Sequence, residues 1–531
     1  MSIKREEQVF SSSIDTDLAK EYVYHNFKYL PLENSPVYGV KDASEVVITP
    51  LYFDELCYLL SAEGTHVVLF GGTWSLKTQG VIDRINYFAR KYGVDTVYLY
   101  DFRADGSTED TNFKVDITAQ DSYDGPGKEK SIGCANCNYI YGELVTRHLT
   151  NLNDWVAGKV GSGDDITYLN LYQDAVTVPN VHEPFLFVFN KDNRVDNSGL
   201  AQGREDEYFP IVSALELDGF RGKDGQIYSD EACSVLDAGF DERLETVIFG
   251  KIGDGGISPY THADYMYDAF KRNERGHAFK TEDCFQKGEQ INIQPVTLAE
   301  LLWILDQKGS FLVVIAGAWC ANSQGGITTI NDYAVANHTR VYMFDTRLDG
   351  KHPIDFWKYP RLNELKLSHP ALEKYSFELW EKRLPGAPML LRARANTSFG
   401  KRRPLTIEYT DESGVKHVVL PVDLPYLFAC NQDAISERDQ SRAPVLAACN
   451  HGGIELINCL KSFVYYKPNY RLYTAGVYAV FSAYCDNLGI PVNDISIDRS
   501  APIVPGKPVR HIETVAYHKE HDWYKERGGL K

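Results

Sequence analysis

One segment of this chain is written twice, and that repetition constrains the fold more than any other feature. Residues 71–106 read GGTWSLKTQGVIDRINYFARKYGVDTVYLYDFRADG, and residues 316–350 read AGAWCANSQGGITTINDYAVANHTRVYMFDTRLDG. At an offset of 245, Gly72, Trp74, Gln79, Gly80, Ile82, Ile85, Asn86 and Ala89 meet Gly317, Trp319, Gln324, Gly325, Ile327, Ile330, Asn331 and Ala334. After a one-residue gap, Val97, Tyr98, Asp101, Arg103, Asp105 and Gly106 meet Val341, Tyr342, Asp345, Arg347, Asp349 and Gly350. Fourteen identities over 36 positions do not arise by chance. A chain of 531 residues would hold several domains or two large ones, and the repeat selects two halves.

Periodicity and punctuation supply the elements of each copy. Val67–Phe70 and Phe311–Ile315 are short apolar runs rich in β-branched residues, the pattern of strands covered on both faces. Ile82, Ile85 and Phe88–Ala89 then recur at helical spacing, as do Ile327, Ile330 and Ala334, before a second buried strand at Val97–Tyr100 and Val341–Phe344. Upstream, Thr297-Leu-Ala-Glu300 reads as a capping box, and Thr49-Pro50 places proline at a first helical position. Helix, strand, helix, strand builds βαβ units around a parallel sheet.

Each copy closes with an X-Pro entering an apolar strand, Glu183-Pro184 before Phe185–Phe189 and Ala387-Pro388 before Met389–Leu391. On that reading 110 residues separate Trp74 from Pro184 but only 69 separate Trp319 from Pro388. The excess falls in polar, turn-rich Asp121–Lys130 and Gly158–Asp165, expected as surface insertions, and Asn190–Glu207 is expected as an exposed loop. A fainter echo pairs Ser258–Phe270 with Lys467–Phe481 and puts the seam near Lys287–Gln294. The expected organisation is an N-terminal segment 1–40, a first repeat over 41–290 and a second over 291–531.

Charge and composition exclude several classes of function. The 55 Lys and Arg against 73 Asp and Glu give a net charge of −18, with no basic block for nucleic acid or an anionic membrane. The longest uncharged run, Gly309–Asn331, is apolar only over Phe311–Trp319, far short of the roughly 20 residues of a membrane span. The first thirty residues hold no apolar core for a signal peptide, so a cytoplasmic protein is expected. Ten irregularly spaced cysteines are not a disulfide framework, and most should be small buried hydrophobes. P-loop, Rossmann and H-E-x-x-H signatures are lacking, and neither cofactor nor metal is expected. The 34 tyrosines are read mostly as core, with some left for an interface between halves or copies of the chain, so a homo-oligomer is compatible.

A strand ending in Gly-Ala-Trp-Cys320-Ala-Asn-Ser323, a helix, a further strand and an X-Pro strand entry resemble the thioredoxin-like superfamily. The resemblance covers about 48–190 and 296–395 and rests on the tryptophan, the C-x-x-S spacing and the proline. It implies an α/β fold of two thioredoxin-like domains in tandem from an internal duplication, each with an α+β C-terminal extension. It also implies that the proline is cis, with Pro388 beside Cys320 and Pro184 beside Ser75. The chain departs from the family pattern twice: Ser323 stands where a dithiol enzyme has its second cysteine, and the first copy has Ser75 and Thr78 without a thiol.

The chemistry of that turn follows from electrostatics. A cysteine at a helix N-terminus faces unpaired N–H groups and the positive end of the macrodipole, which favour thiolate and lower its pKa from ~8.5 into a range of about 3.5–7.5. Ser323 could donate a hydrogen bond to that sulfur, Trp319 would shield it, and Pro388 would shape the groove. With one thiol in the turn, the expected chemistry is monothiol exchange with a protein or small-molecule disulfide, or peroxide or glutathione-type chemistry. The competing reading makes the turn a relic of the fold and the chain a redox-inactive binding or assembly scaffold. Trp74, Ser75, Thr78 and Pro184 are the equivalents in the copy that lacks the thiol.

Three other motifs carry weaker alternatives. Cys134-Ala-Asn-Cys137 is either a resolving redox pair, half of a zinc site without its other half, or two ordinary thiols. Asp101-x-Arg103 and Asp345-x-Arg347 end parallel strands, where ligands bind in open sheets, but an ion pair closing the strand exit is the simpler role. Cys449 and His451 are too close in sequence to make a nucleophile-base contact readily.

Overall fold

The β-branched runs become the centres of two mixed sheets in an α/β fold. The computed structural model describes residues 9–27, 40, 42–103, 137–156, 165–169, 174–200, 204, 207–217, 239–252, 256–271, 284–347, 378–384, 407–410, 416–419, 424–436, 440–450 and 468–495. Up to residue 216 the elements are β1 (Val9–Ser11), α1 (Leu18–Asn26), β2 (Ile48–Leu51), α2 (Phe53–Leu59), β3 (His66–Phe70), α3 (Leu76–Lys91), β4 (Val97–Tyr100), α4 (Cys137–His148), β5 (Ile166–Leu169), β6 (Ala175–Val178), β7 (Phe185–Phe189) and β8 (Ile211–Glu216). Then follow α5 (His262–Ala269), β9 (Ile293–Pro295), α6 (Leu298–Asp306), β10 (Lys308–Ile315), α7 (Ala321–Ala336), β11 (Val341–Phe344), β12 (Ile407–Thr410), β13 (Lys416–Val419), β14 (Tyr426–Asn431), β15 (Val445–Asn450) and α8 (Pro468–Leu488).

The first sheet runs β2-β4-β3-β7-β8, with β2, β4 and β3 parallel and β7 and β8 antiparallel. The second runs β9-β11-β10-β14-β15 with the same directions at the same places. Even the irregularities match, because a register shift interrupts β7–β8 at Val188/Phe189 and β14–β15 at Ala429/Cys430. Between the parallel and antiparallel parts each half carries a β-hairpin, β5–β6 and β12–β13.

Alternation along β3 and β4 assigns their two faces to different cores. Val67, Leu69, Val97 and Leu99 pack with Ile82, Ile85, Phe88 and Ala89 of α3. Val68, Phe70, Tyr98 and Tyr100 point the other way, into a core that continues through Leu56 of α2 and Leu301 of α6 to β10 and β11. The halves therefore share one apolar interior. Among the described residues no helix is long and apolar enough to cross a membrane.

Several expectations change at this level. Pro50 does not start a helix: it lies in edge strand β2, where a missing N–H costs no ladder bond, and α2 begins at Phe53. Its counterpart Pro295 lies in edge strand β9. The capping box is present, with Glu300 N donating to Thr297 Oγ1 at 3.2 Å and Thr297 N donating to Glu300 Oε2 at 2.8 Å.

The proline entering the second sheet is not Pro388, which lies outside the described residues together with Met389–Leu391. In the first sheet Phe70 pairs with Phe185, so the cis Glu183–Pro184 bond sits just beyond the end of β3. In the second, Ile315 pairs with Tyr426, and the cis bond at that place is Leu424–Pro425. Trp319 and Pro425 are 106 positions apart, close to the 110 of the first copy, so the two copies have nearly equal length there. Asp121–Lys130 and Gly158–Asp165, expected as surface insertions, lie outside the described residues except for Asp165. The loop after β7 is exposed as expected, at Val195 and Leu200.

The segments ahead of each sheet cross over. Ser12 at the end of β1 donates its N–H to Ser310 O at 3.1 Å beside β10, while α1 packs on β2 and α6. Ser258 donates its N–H to Thr65 O at 2.8 Å beside β3, while α5 packs on β9 and α2. Tyr22, Tyr24 and Phe27 of the first crossing match Tyr265, Tyr267 and Phe270 of the second. The counterpart of Ser258–Phe270 is thus the N-terminal segment, not Lys467–Phe481. Helix α8 covers β15 and β14, a place taken in the first half by the π-helical turn Leu244–Ile248 against β8. Residues 9–27 and 258–270 thus each touch elements of both sheets.

Candidate functional site

The repeated identities converge on one construction at the carboxyl end of the central strand of each sheet. Trp74 Nε1 donates to Asp101 Oδ1 at 2.8 Å, and Arg103 N donates to the same oxygen at 2.8 Å. The Arg103 guanidinium lies 3.5 Å from the centre of the Trp74 ring. In the second half Trp319 Nε1 and Arg347 N donate to Asp345 Oδ1 at 2.8 and 2.9 Å, and Arg347 lies 3.7 Å over Trp319. The Asp-x-Arg segments therefore hold the tryptophan from below and above, by a charge-assisted hydrogen bond and a cation–π stack.

The glycine and glutamine identities belong to the same device. A Cβ on Gly72 would come within 2.4 Å of Trp74 Nε1 and Asp101 Oδ2, and one on Gly317 within 2.2 Å of Trp319 Nε1. Gln79 Nε2 donates to Thr73 O and Gln324 Nε2 to Ala318 O, both at 2.5 Å, bracing the turn from the helix. Asn331 in α7 accepts from Asn292 N at 2.8 Å and donates to Gln290 O at 2.9 Å, tying the edge strand to the helix as Asn86 does with Val47 and Glu45.

The halves differ at the helix N-terminus. Ser75 caps α3 by accepting from Thr78 N at 3.2 Å and is buried. Cys320 occupies the same position on the 16-residue α7, is partly exposed, and makes no cap hydrogen bond with its side chain. Ser323 is fully buried and accepts from Gly317 N at a long 3.4 Å, so its hydroxyl lies at the end of β10 beneath the turn. Thr78 is likewise fully buried. Trp319, Cys320 and Ser323 are thus brought together, with the cis Leu424–Pro425 bond facing the start of the turn across the β10–β14 pair.

The other cysteines divide by burial. Cys430 and Cys449 are fully buried, and desolvation pushes the Cys430 thiol up to about 12 and that of Cys449 higher still, as inert core thiols require. Cys134 and His451 lie outside the described residues. Cys137 opens α4, which packs on the β5–β6 hairpin of the first half. A thiol near the first turns of the Cys320 helix is Cys284, whose Sγ donates to Gln324 O at 3.3 Å while Thr328 Oγ1 donates to Cys284 O at 3.0 Å. At 1.5 Å per residue, Gln324 is about 6 Å along α7 from Cys320. No spacing in the sequence points to Cys284, because its partners lie 40 and 44 positions away.

A cavity of about 40 Å³ lies between the halves, room for a few water molecules. Tyr52, Thr73, Asp101 and Arg103 of the first half and Thr297 and Asp345 of the second line it, so the carboxyl ends of both sheets meet there. Cys320 is not among the lining residues. Tyr22, from the crossing helix α1, also lines it; burial pushes its hydroxyl well above the ordinary tyrosine range, with the charges of Glu300 and Asp101 adding to the effect. Among the described residues no group of three His, Cys, Asp or Glu side chains could hold a metal ion. No family model matches the chain, and comparison with curated proteins and with solved structures found no match.

Proposed function

We propose that the chain is a thiol-redox protein made of two thioredoxin-like units from an internal duplication, in which Cys320 is the nucleophile. The observation that carries this reading is the partly exposed Cys320 at the N-cap of a 16-residue helix. Supporting it are the strand order and directions of both sheets and the cis proline facing each turn. In the first unit the same position is a serine that uses its oxygen for capping, which fits a partner unit without chemistry.

On this reading the Cys320 thiolate attacks one sulfur of a disulfide, forming a mixed disulfide and releasing the other sulfur as a thiolate. A second thiolate then attacks Cys320 Sγ or the substrate sulfur, and Cys284 is the candidate for that step within the chain. Trp319 would shield the sulfur, with Pro425 rather than Pro388 shaping the groove. The substrates would be protein or small-molecule disulfides in the cytoplasm.

The test is the rate of iodoacetamide alkylation against pH, with Cys320→Ser as background. A titration midpoint clearly below ~8.5 is expected. A thiol that reacts only after denaturation would sink the reading. The second reading, a redox-inactive scaffold, is favoured by one observation: the tryptophan construction is equally complete around Trp74, where there is no thiol to serve.

A further inference from the structure

Each sheet has a slot beside its central strand that is filled by the segment ahead of the other sheet. Strand β11 pairs only with Val313–Ile315 of the longer β10, and β1 lies parallel beside the stretch Lys308–Ser310 that β11 leaves open. Gly309 makes that approach possible, because its φ is +117° and a Cβ there would lie 1.8 Å from Phe10 O. Ser12 Oγ accepts from Leu312 N at 2.8 Å in place of a ladder carbonyl. Arg340 then closes over the arm's backbone. Its N donates to Ser12 O at 2.6 Å, Nη1 to Thr16 O at 3.1 Å and Nη2 to Ile14 O at 3.3 Å. The first sheet repeats the slot. Gly64, 245 positions before Gly309, has φ +99°, and a Cβ there would lie 1.8 Å from Ser258 Oγ, which accepts from Thr65 N at 3.3 Å.

We propose that the slot of the second sheet accepts the N-terminal arm of a second copy of this chain, so that two copies join by exchanging residues 9–27. The crossing within one chain is already an arm-exchanged pair whose two members are covalently joined. Residues 258–270 lie in mid-chain between β8 and β9, so they cannot move to another copy without carrying a sheet, whereas 9–27 precede β2 and can. The tether is long enough. Fourteen residues, 28–41, join Phe27 to Asp42, a reach of about 46–50 Å when extended, yet α1 packs against Ala43–Glu45 just beyond them.

The arm meets the same groups on either copy: β10 and Arg340 for β1, and β2 and α6 for α1. Its apolar anchors are the rings of Phe10 and Tyr22, 5.6 and 5.9 Å from that of Trp303 on α6. Because these contacts are alike in both states, concentration and the tether decide between them. Exchange also makes the cavity between the sheets a shared one. Tyr22 lines it, so each cavity of the pair is closed by Tyr22 of the partner subunit.

Ser13 and Thr339 stand opposite each other in an antiparallel bridge where the arm meets the start of β11. Cα atoms so opposed are about 4.5–5.5 Å apart, within reach of a disulfide. The Thr339 hydroxyl has no hydrogen-bond partner among the described residues, so cysteine replaces it without losing a bond. In a full-length chain carrying both Ser13→Cys and Thr339→Cys, mild oxidation should link the arm internally. Chains with Ser13→Cys alone and chains with Thr339→Cys alone, unfolded in urea, mixed, refolded and oxidised, should form a linked pair of twice the chain mass. As a bimolecular step requires, the linked fraction should rise about tenfold between about 10 and about 100 µM chain. Ser13→Cys chains refolded with wild-type chains give the background from the ten native cysteines, and none of these readouts depends on Cys320. Linkage no greater than that background at the higher concentration overturns the proposal, as does a linked fraction that ignores concentration. A double variant that does not link internally also overturns it, because the slot then does not hold the arm.

Discussion

Replacing Gly317 by alanine tests whether the tryptophan construction is what orders the candidate turn. The added methyl would lie 2.2 Å from Trp319 Nε1 and 2.7 Å from both oxygens of Asp345, so it cannot be placed while the 2.8 Å indole–carboxylate bond stands. Asp345 is nearly fully buried, and Arg347 N depends on the same oxygen. Loss of a buried hydrogen bond to a charged group costs about 1.5–3 kcal/mol, and overpacking adds about 1–3 kcal/mol. Part of that range overlaps, because moving the indole relieves the clash, so about 2–4 kcal/mol is expected. Urea unfolding followed by tryptophan fluorescence measures it, with Gly72→Ala as the matched change in the first half. A loss below about 0.5 kcal/mol for Gly317→Ala, the size of an ordinary surface change, would refute the account of the turn.

Two further outcomes follow from groups outside the turn. Asn331→Ala removes the bonds to Asn292 N and Gln290 O, leaving buried backbone groups unsatisfied, and should cost about 2–4 kcal/mol in the same assay, whereas Asn331→Asp should cost less because it keeps the acceptor. His66 is buried beneath Ser258, and desolvation depresses it to about 4, its backbone hydrogen bonds opposing. A depressed histidine contributes stability above its unfolded value of 6.5 that disappears as pH falls toward 4, so His66→Gln should flatten the acid limb of a stability profile between those values.

Much of the second half of each strand-helix-strand repeat was legible because burial leaves a local signature. Alternating faces of Val67–Phe70 and the helical recurrence of Ile327, Ile330 and Ala334 report that a face is covered, and it is. The capping box at Thr297 was legible for the same reason, since its partners are three residues apart. Pro50 misled because proline is equally at home at a helix start and on an edge strand, and only the pairing of β2 with β4 distinguishes them. Pro388 misled because an X-Pro before an apolar run is a local pattern, while the partner of β10 is chosen by side chains more than a hundred positions away. Cys284 carried no signal at all.

The sequence by itself determined that one segment occurs twice, at 71–106 and 316–350, that each copy has a tryptophan turn between a buried strand and a helix, and that only one turn bears a thiol. Local period and repeated identity are properties of neighbours along the chain, and they survive without the fold. The tertiary structure decided which proline faces the thiol turn, that α1 and α5 cross between the units, and that Glu55 pairs with His262. An amphipathic helix of eight or nine residues announces that one face will be buried, but any apolar surface would satisfy it. Only the packing of both sheets selects the surface, and with it the pairing of Glu55 with His262.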